Sequence, residues 1–164
     1  MPEKETIERA RKDAAQGKSK STQAGEFVRE EIHHIREGKH GARSPKQAIA
    51  IGLSKARRAG VKLPAPRAGR TSKQTARKAA RDVARGRRRR RPSAKRSRAV
   101  RRALRREPRS SASRPALASQ AHRAAMRRSP GERRAAAKEA VRTKGPARRR
   151  AAGRKAARTR ARSR

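Results

Sequence analysis

Positive charge is distributed very unevenly along this chain. The residues after Leu63 include 38 Lys and Arg but only four acids, which leaves a net charge of +34. The first 63 residues hold fifteen basic and eight acidic residues, a net charge of +7. A packed core cannot accommodate so much like charge, so the C-terminal part should meet a dense polyanion or stay extended and solvated. Nucleic acid is the commonest such polyanion in a cell, because duplex DNA carries one negative charge per ~1.7 Å of axis.

The C-terminal part also contains few large apolar residues. They are Val83, Val100, Leu104, Leu117, Met126 and Val141. So few residues cannot offset an ordering cost of roughly 1–2 kcal/mol per residue over a hundred positions. High net charge with low hydrophobicity is typical of disordered chains. We therefore expect residues 64–164 to be a largely disordered polycationic tail with transient helices, and any compact unit to lie before Pro64.

The first part of the chain is predicted to be a small all-α head without strands. Residues 1–21 form a polar segment with a short helix from Glu3 to Gln16. Residues 22–63 form the helical head, whose first helix should run from about Gln23 to Arg36 with Ser21 or Thr22 as its cap. Ser and Thr side chains at this position accept a hydrogen bond from the first turn of a helix.

The next helix has the clearest start signal. Ser44-Pro45-Lys46-Gln47 combines a serine cap, a proline at the first helical position and a glutamine three residues after the cap. The helix should end near Arg58. Ala48, Gly52 and Ala56 form a stripe of small residues, which predicts close approach of another helix of the chain or of a homodimer partner. The residues expected to pack in the head are Val28, Ile32, Ile35, Ile49, Gly52 and Leu53.

Segments that could form helices recur in the tail. They cover 73–91, 94–106, 115–128, 130–143 and 147–162. Ala and Arg favour helix, but arginines three and four positions apart repel one another, so these helices should be marginal in water and form on bound phosphates. Ser129-Pro130-Gly131-Glu132 repeats the Ser-Pro cap of Ser44.

Clustered cations of the tail are the candidate DNA-binding residues. They are Arg85, Arg87, Arg88, Arg89, Arg90, Arg91, Lys95, Arg96, Arg98, Arg101, Arg102, Arg105, Arg106, Arg148, Arg149, Arg150, Arg154 and Lys155. Arg85-Gly86-Arg87, followed by Pro92, resembles the core of an AT-hook, which lays an extended segment in the minor groove. Four extra arginines interrupt that pattern, so contact with phosphates is favoured over an AT-hook.

Other classes of site are poorly represented. The chain has no cysteine. His33 and His34 point about 100° apart on a helix and cannot easily share a metal, so we predict no metal site and no cofactor even with His40 nearby. No catalytic constellation or phosphate-binding loop is evident, so an enzyme is not expected. The longest apolar stretch, Ala48 to Leu53, is far too short for a membrane span, and no secretory signal is visible at the N-terminus.

The head resembles a known group of proteins. The loop Gly38-Lys39-His40-Gly41 leading into the Ser44-Pro45 helix is similar to that of a family of small, basic, uncharacterised proteobacterial proteins that are assumed to bind DNA. The resemblance covers about the first 65 residues and implies a bacterial cytoplasmic protein, but it supplies no activity. The tail resembles bacterial histone H1-like proteins in composition alone.

The sequence therefore predicts a nucleoid-associated, histone H1-like protein of the bacterial cytoplasm. It would neutralise and compact duplex DNA without sequence preference. An RNA-binding or ribosome-associated protein is the alternative, weakened because Phe27 is the only aromatic residue and single-stranded RNA recognition uses aromatic stacking. A polycation acting at an anionic membrane surface is disfavoured, because the tail lacks the apolar face that such a helix needs.

Overall fold

The computed structural model describes residues 2–66, 69, 71–88 and 93–162. The chain is 77% helical, and the described residues contain no strand. The α-helices, numbered in chain order, are α1 Lys4–Ala15, α2 Lys20–Arg36, α3 Pro45–Arg58, α4 Lys73–Arg88, α5 Ala94–Arg105, α6 Arg114–Met126 and α7 Pro130–Arg162, and a 3₁₀ helix covers Ser110–Ala112. Contacts divide the chain into two compact units, Met1–Gln120 and Ala121–Arg164.

In the structure the head comprises α1 to α3 with their turns, residues 2–66. Helices α1 and α2 pack against each other and are joined by polar contacts. Arg9 Nε lies 2.9 Å from Glu26 Oε2. Gly17 turns the chain between the two helices with a positive φ of 67°. Ser19, not Ser21 or Thr22, caps α2, since its side chain accepts a hydrogen bond from the Thr22 amide. The helix consequently begins three residues earlier than the sequence predicts.

Helix α3 begins as its cap predicts and packs closely on α2. Ser44 Oγ accepts a hydrogen bond from the Gln47 amide at 3.3 Å, and Pro45 is the first helical residue. The stripe formed by Ala48, Gly52 and Ala56 is buried. A Cβ on Gly52 would lie 2.6 Å from the Cα atom of Val28, so only glycine permits this approach of the two backbones. Because the stripe is filled within the chain, a homodimer would have to use another surface.

Two small apolar clusters form the core of the first unit. One consists of Ile32, Ile35, Ala42, Ala48 and Ala112, with Val28 and Leu117 packed against it. The other consists of Ala10, Ala24, Phe27 and Ala56, with Ile7, Leu53, Val61 and Leu63 packed against it. Ile49, which we expected to pack in the head, is only half-buried. Alanines supply much of the core, so it depends on close backbone approach more than on large side chains.

The expectation of a short head followed by a long disordered tail is wrong. Helix α4 packs on α3, where a Cβ on Gly86 would overlap the carbonyl oxygen of Arg57. The last turn of α5 and the segment after it also pack on the head. Gly41 donates its amide to the Leu104 carbonyl at 2.8 Å, and a Cβ at this glycine would overlap the Glu107 carbonyl oxygen.

The segment that ends in the 3₁₀ helix is held by the same kinds of contact. Ala42 donates its amide to the Pro108 carbonyl at 3.0 Å. Arg36 Nε donates to the carbonyl of Ala112, whose side chain is fully buried in the first core cluster. The prediction failed because it counted large apolar side chains, whereas this packing uses Ala, Gly and main-chain hydrogen bonds.

The second unit is helical although its side chains are almost entirely exposed. Helix α7 begins with a complete capping box: Glu132 donates its amide to Ser129 Oγ, and Ser129 donates its amide to Glu132 Oε2. Gly145, at φ 66° and ψ 171°, interrupts the helical backbone just before Pro146. The interruption falls between the predicted segments 130–143 and 147–162. Here the high helix propensity of Ala and Arg outweighs the repulsion that we expected to keep the segment unfolded.

Candidate nucleic-acid interface

Helix α5 is rich in cationic residues and contains no acidic residue. Six of its twelve residues are Lys or Arg, and none of its side chains is buried. The exposed cations of this segment are Lys95, Arg96, Arg98, Arg101, Arg102, Arg105 and, directly after the helix, Arg106. Five of the six cations within the helix, all but Arg96, lie within an arc of about 120° on one face, because successive residues are about 100° apart. Helix α5 can thus present a strip of positively charged side chains to a polyanion along that one face.

Helix α7 carries the largest concentration of charge. Its 33 residues include thirteen Lys and Arg against two acids, Glu132 and Glu139. Arg142 pairs with Glu139 at 3.0 Å. The predicted DNA-binding residues of this helix are all exposed in its second half, at Arg148, Arg149, Arg150, Arg154 and Lys155.

The arginine run after α4 is described only in part. Arg85 is exposed near the end of α4, and the helix continues through Arg88. Of Arg87 and Arg88 only the backbone is described, and Arg89, Arg90 and Arg91 lie outside the described residues. An AT-hook needs an extended backbone, whereas Arg85-Gly86-Arg87 is helical and its glycine is packed against α3.

Several cations of the head are committed to internal contacts. Arg57 is buried and donates to the carbonyl oxygens of Leu63 and Pro64. This burial lowers the pKa of Arg57, although Asp82 acts in the opposite direction. Arg58 lies 3.8 Å from Asp82 of α4. Arg57 therefore fixes the turn after α3, and its guanidinium is not presented to solvent as a phosphate ligand would be.

Charged side chains connect the N-terminal residues to the end of α2 through ion pairs and hydrogen bonds. Glu3 Oε1 lies 2.7 Å from His34 Nε2 and 3.3 Å from Lys39 Nζ. The hydrogen bond with His34, followed by that with Lys39, lowers the pKa of Glu3. Lys39 also pairs with Glu37 at 3.0 Å. That pairing lowers the pKa of Glu37 and raises the pKa of Lys39.

Beneath this surface lies a buried polar cluster that the sequence did not reveal. The carboxylates of Glu30 and Glu31 are almost fully buried. Lys55 Nζ lies 3.3 Å from Glu30 Oε1 and 2.6 Å from Glu31 Oε2. His40 Nε2 lies 3.2 Å from Glu31 Oε1, and the His34 ring meets that of His40 edge-on at 6.3 Å. The usable sequence signal was Glu31-x-x-His34, because residues three apart share a helix face.

The family match found by comparison with known proteins covers only the first part of the chain. Residues 3–67 match a family of unknown function (DUF6496). No curated protein and no solved structure matches the chain. The matched region includes α1 to α3 and the buried polar cluster, and it ends before α4 and the cationic helices. These comparisons therefore assign no activity to either part.

Proposed function

We propose that this protein binds nucleic acid without sequence preference, with duplex DNA as its main partner and α5 and α7 as the principal contact surfaces. The observation that supports this proposal most directly is that both helices expose many closely spaced Lys and Arg side chains and contain almost no acidic residues. On this proposal the protein compacts DNA as a histone H1-like component of the bacterial nucleoid. In the described residues, no helix has the length and apolarity needed to cross a membrane.

The charge on α5 matches the scale of a duplex. Twelve helical residues extend over ~18 Å, and duplex DNA carries about ten phosphates over that length. Six cations on α5 can thus neutralise several phosphates at once and release their counterions. Such contacts position a protein on DNA but read no bases, which supports binding without sequence preference.

Helical order changes how this binding works compared with an extended tail. In a helix the cations stand at fixed spacings, so less conformational entropy is lost when they meet phosphates. Bound phosphates also relieve the repulsion between arginines at neighbouring helical positions. A single aromatic residue, Phe27, buried in the head, supports DNA over single-stranded RNA, whose recognition relies on aromatic stacking.

The proposal can be tested with the full chain by fluorescence anisotropy on two unrelated duplexes and one structured RNA. If about ten phosphates are engaged, the logarithm of the binding constant should fall against log salt with a slope near −9 on both duplexes. The RNA should bind more weakly at the same salt. A shallow slope, or a strong preference for one duplex, would contradict the proposal, and tighter binding to the RNA would favour the RNA-binding alternative.

Matched charge variants locate the interface. In one variant, four arginines of α7 are each replaced with Gln: Arg148, Arg149, Arg150 and Arg154. In the control variant, four exposed cations of the head are each replaced with Gln: Arg11, Lys12, Lys20 and Lys46. The α7 variant should bind duplex DNA on the order of 100-fold more weakly at ~150 mM salt, with a slope reduced by up to about 3.6. The head variant should lose less than tenfold. Equal losses would mean that binding follows net charge and not α7.

A further inference from the structure

We propose that Glu31, His34 and His40 form a binding site for one divalent transition-metal ion, with Zn²⁺ as the best-matched occupant. One donor atom from each of these residues lies within 4.8 Å of the others. Two imidazole nitrogens and one carboxylate oxygen form a ligand set typical of zinc sites that keep a fourth position open. Nitrogen ligands favour Zn²⁺ over Mg²⁺ or Ca²⁺, which prefer oxygen.

The local backbone explains how these residues meet. Glu31 and His34 stand three residues apart on α2, so both project from one face of the helix. Gly38 adopts a positive φ of 80° just after α2, and the chain turns back. The turn brings His40 Nε2 to 3.2 Å from Glu31 Oε1. Two ligands of a tetrahedral zinc ion, each bonded at ~2.0–2.2 Å, are separated by roughly 3.3 Å.

The Glu31 carboxylate indicates an incomplete site. Glu31 is fully buried, and neither of its oxygens makes a hydrogen bond in the described part of the chain. Lys55 Nζ approaches Oε2 to 2.6 Å and His40 approaches Oε1, but these contacts are close in distance without hydrogen-bond geometry. A buried carboxylate with unsatisfied oxygens is unfavourable. A cation at Oε1 would satisfy it while Lys55 continues to hold Oε2.

The second nitrogen of each histidine is already occupied by an oxygen. His40 Nδ1 lies 3.1 Å from the Gly41 carbonyl oxygen, and His34 Nε2 lies 2.7 Å from Glu3 Oε1. Metal-binding histidines usually donate their other N–H to a carboxylate or a carbonyl, which fixes the ring and its tautomer. The nitrogen left on His40 is Nε2, which faces Glu31 Oε1, and the nitrogen left on His34 is Nδ1, which lies 3.9 Å from Glu30 Oε1. Each can offer its lone pair to a metal.

Charge balance also favours a cation here. Four carboxylates lie at the cluster and its rim, from Glu3, Glu30, Glu31 and Glu37, against the two ammonium groups of Lys39 and Lys55. With neutral imidazoles the cluster has two net negative charges, which one divalent ion neutralises. The imidazoles are mostly shielded, since the His34 and His40 side chains are 12% and 14% exposed. The competing explanation is an ion-pair network among Lys55, Glu31 and His40 that needs no metal.

A Zn²⁺ titration distinguishes a metal site from an ion-pair network that needs no metal. It uses the full chain, freed of nucleic acid, and is followed by competition with a chromophoric chelator. We expect saturable binding of one Zn²⁺ and a rise in the thermal midpoint on adding it. His34→Gln and His40→Gln should each weaken binding at least ~tenfold and abolish the rise. His33→Gln is the matched control, because His33 is adjacent on α2 but is 68% exposed and pairs with Glu37. It should leave Zn²⁺ affinity within about twofold.

The wild-type titration alone can overturn the proposal. Absence of saturable one-to-one binding, or equal affinity in the His33, His34 and His40 variants, would mean that the cluster is an ion-pair network only. Circular dichroism of each variant without metal shows whether it has kept its helices. If a His variant loses its helices, Glu31→Gln, which preserves side-chain size, replaces it in the comparison. Glu31→Gln should also weaken Zn²⁺ binding at least ~tenfold.

Discussion

The head, residues 2–66, and helix α7 have the same secondary structure but use their charges in opposite ways. In the head, acids and bases pair across helices, and Glu30 and Glu31 are buried against Lys55. In α7, thirteen cations share two acids, and the described side chains are nearly all exposed. The head therefore uses charge to fix tertiary contacts, whereas α7 leaves its charge exposed to solvent.

The two regions also differ in why they are helical. Helices of the head bury small and apolar faces against one another, and Gly52 allows α2 and α3 to touch. Helix α7 relies on the helix propensity of Ala and Arg and on its capping box. Substitutions at matched positions should consequently have large effects in the head and small ones in α7.

The largest difference should come from breaking an ion pair in each region. Lys55→Met leaves Glu30 and Glu31 buried without their shared ammonium group. We expect a loss of about 3 kcal/mol in the free energy of unfolding, as for other buried pairs that lose one partner. Arg142→Met breaks the exposed pair with Glu139 and should cost less than ~0.5 kcal/mol. Urea denaturation followed by circular dichroism measures both; similar losses would remove the distinction between the regions.

The next largest difference concerns glycine. Gly52→Leu forces a side chain against the α2 backbone and should destabilise the head by roughly 1–3 kcal/mol, as overpacking does. A Cβ on Gly153 of α7 would meet no neighbouring atom within 4 Å. Gly153→Leu should therefore favour the helix by about 0.8 kcal/mol. The urea midpoint of unfolding measures the effect of Gly52→Leu. Helix content by circular dichroism measures the effect of Gly153→Leu. An unchanged midpoint for Gly52→Leu would mean that α2 and α3 are not packed as described.

A smaller difference is expected at the two Ser-Pro caps. Ser44→Ala removes the acceptor of the Gln47 amide and should lower the stability of the head by ~1 kcal/mol. Ser129→Ala removes the equivalent acceptor of the Glu132 amide. Because α7 is exposed, that change should fray its first turn without shifting the unfolding midpoint of the head. Hydrogen exchange of the amides in each first turn measures both effects, and a midpoint shift from Ser129→Ala would contradict the expectation.

The smallest effect should be a pH dependence at Glu3. Its pKa is lowered from 4.5 by the hydrogen bonds with His34 and Lys39. A carboxylate with a lowered pKa in the folded state contributes stability above its unfolded pKa and loses it as pH falls through the folded value. The thermal midpoints of wild type and Glu3→Gln should therefore differ at pH 6, and the difference should shrink as the pH falls below about 4.5. A difference that stays constant as the pH is lowered would mean that the Glu3 charge is not responsible.

Local signals in the sequence predicted most of the helix positions. The Ser44 and Ser129 caps, the break near Gly145 and the ends of α2 and α3 depend on neighbouring residues only, so they could be identified without the fold. The exposed cations were identified in the same way, because a long run of like charge cannot be buried. The exposed surface that carries the proposed nucleic-acid interface was therefore predictable, although its helical order was not.

Tertiary structure alone decided which distant residues meet. Three examples join parts of the chain that no sequence signal connects: Gly41 packs against Glu107, Gly86 packs against Arg57, and Ala112 lies in the first core cluster. Small side chains have no hydrophobic pattern of their own, and their packing depends on how closely two backbones approach. The Glu31, His34 and His40 cluster likewise required the turn at Gly38. Charge and helix propensity are properties of the local sequence, whereas close packing and polar clusters exist only when the backbone brings their members together.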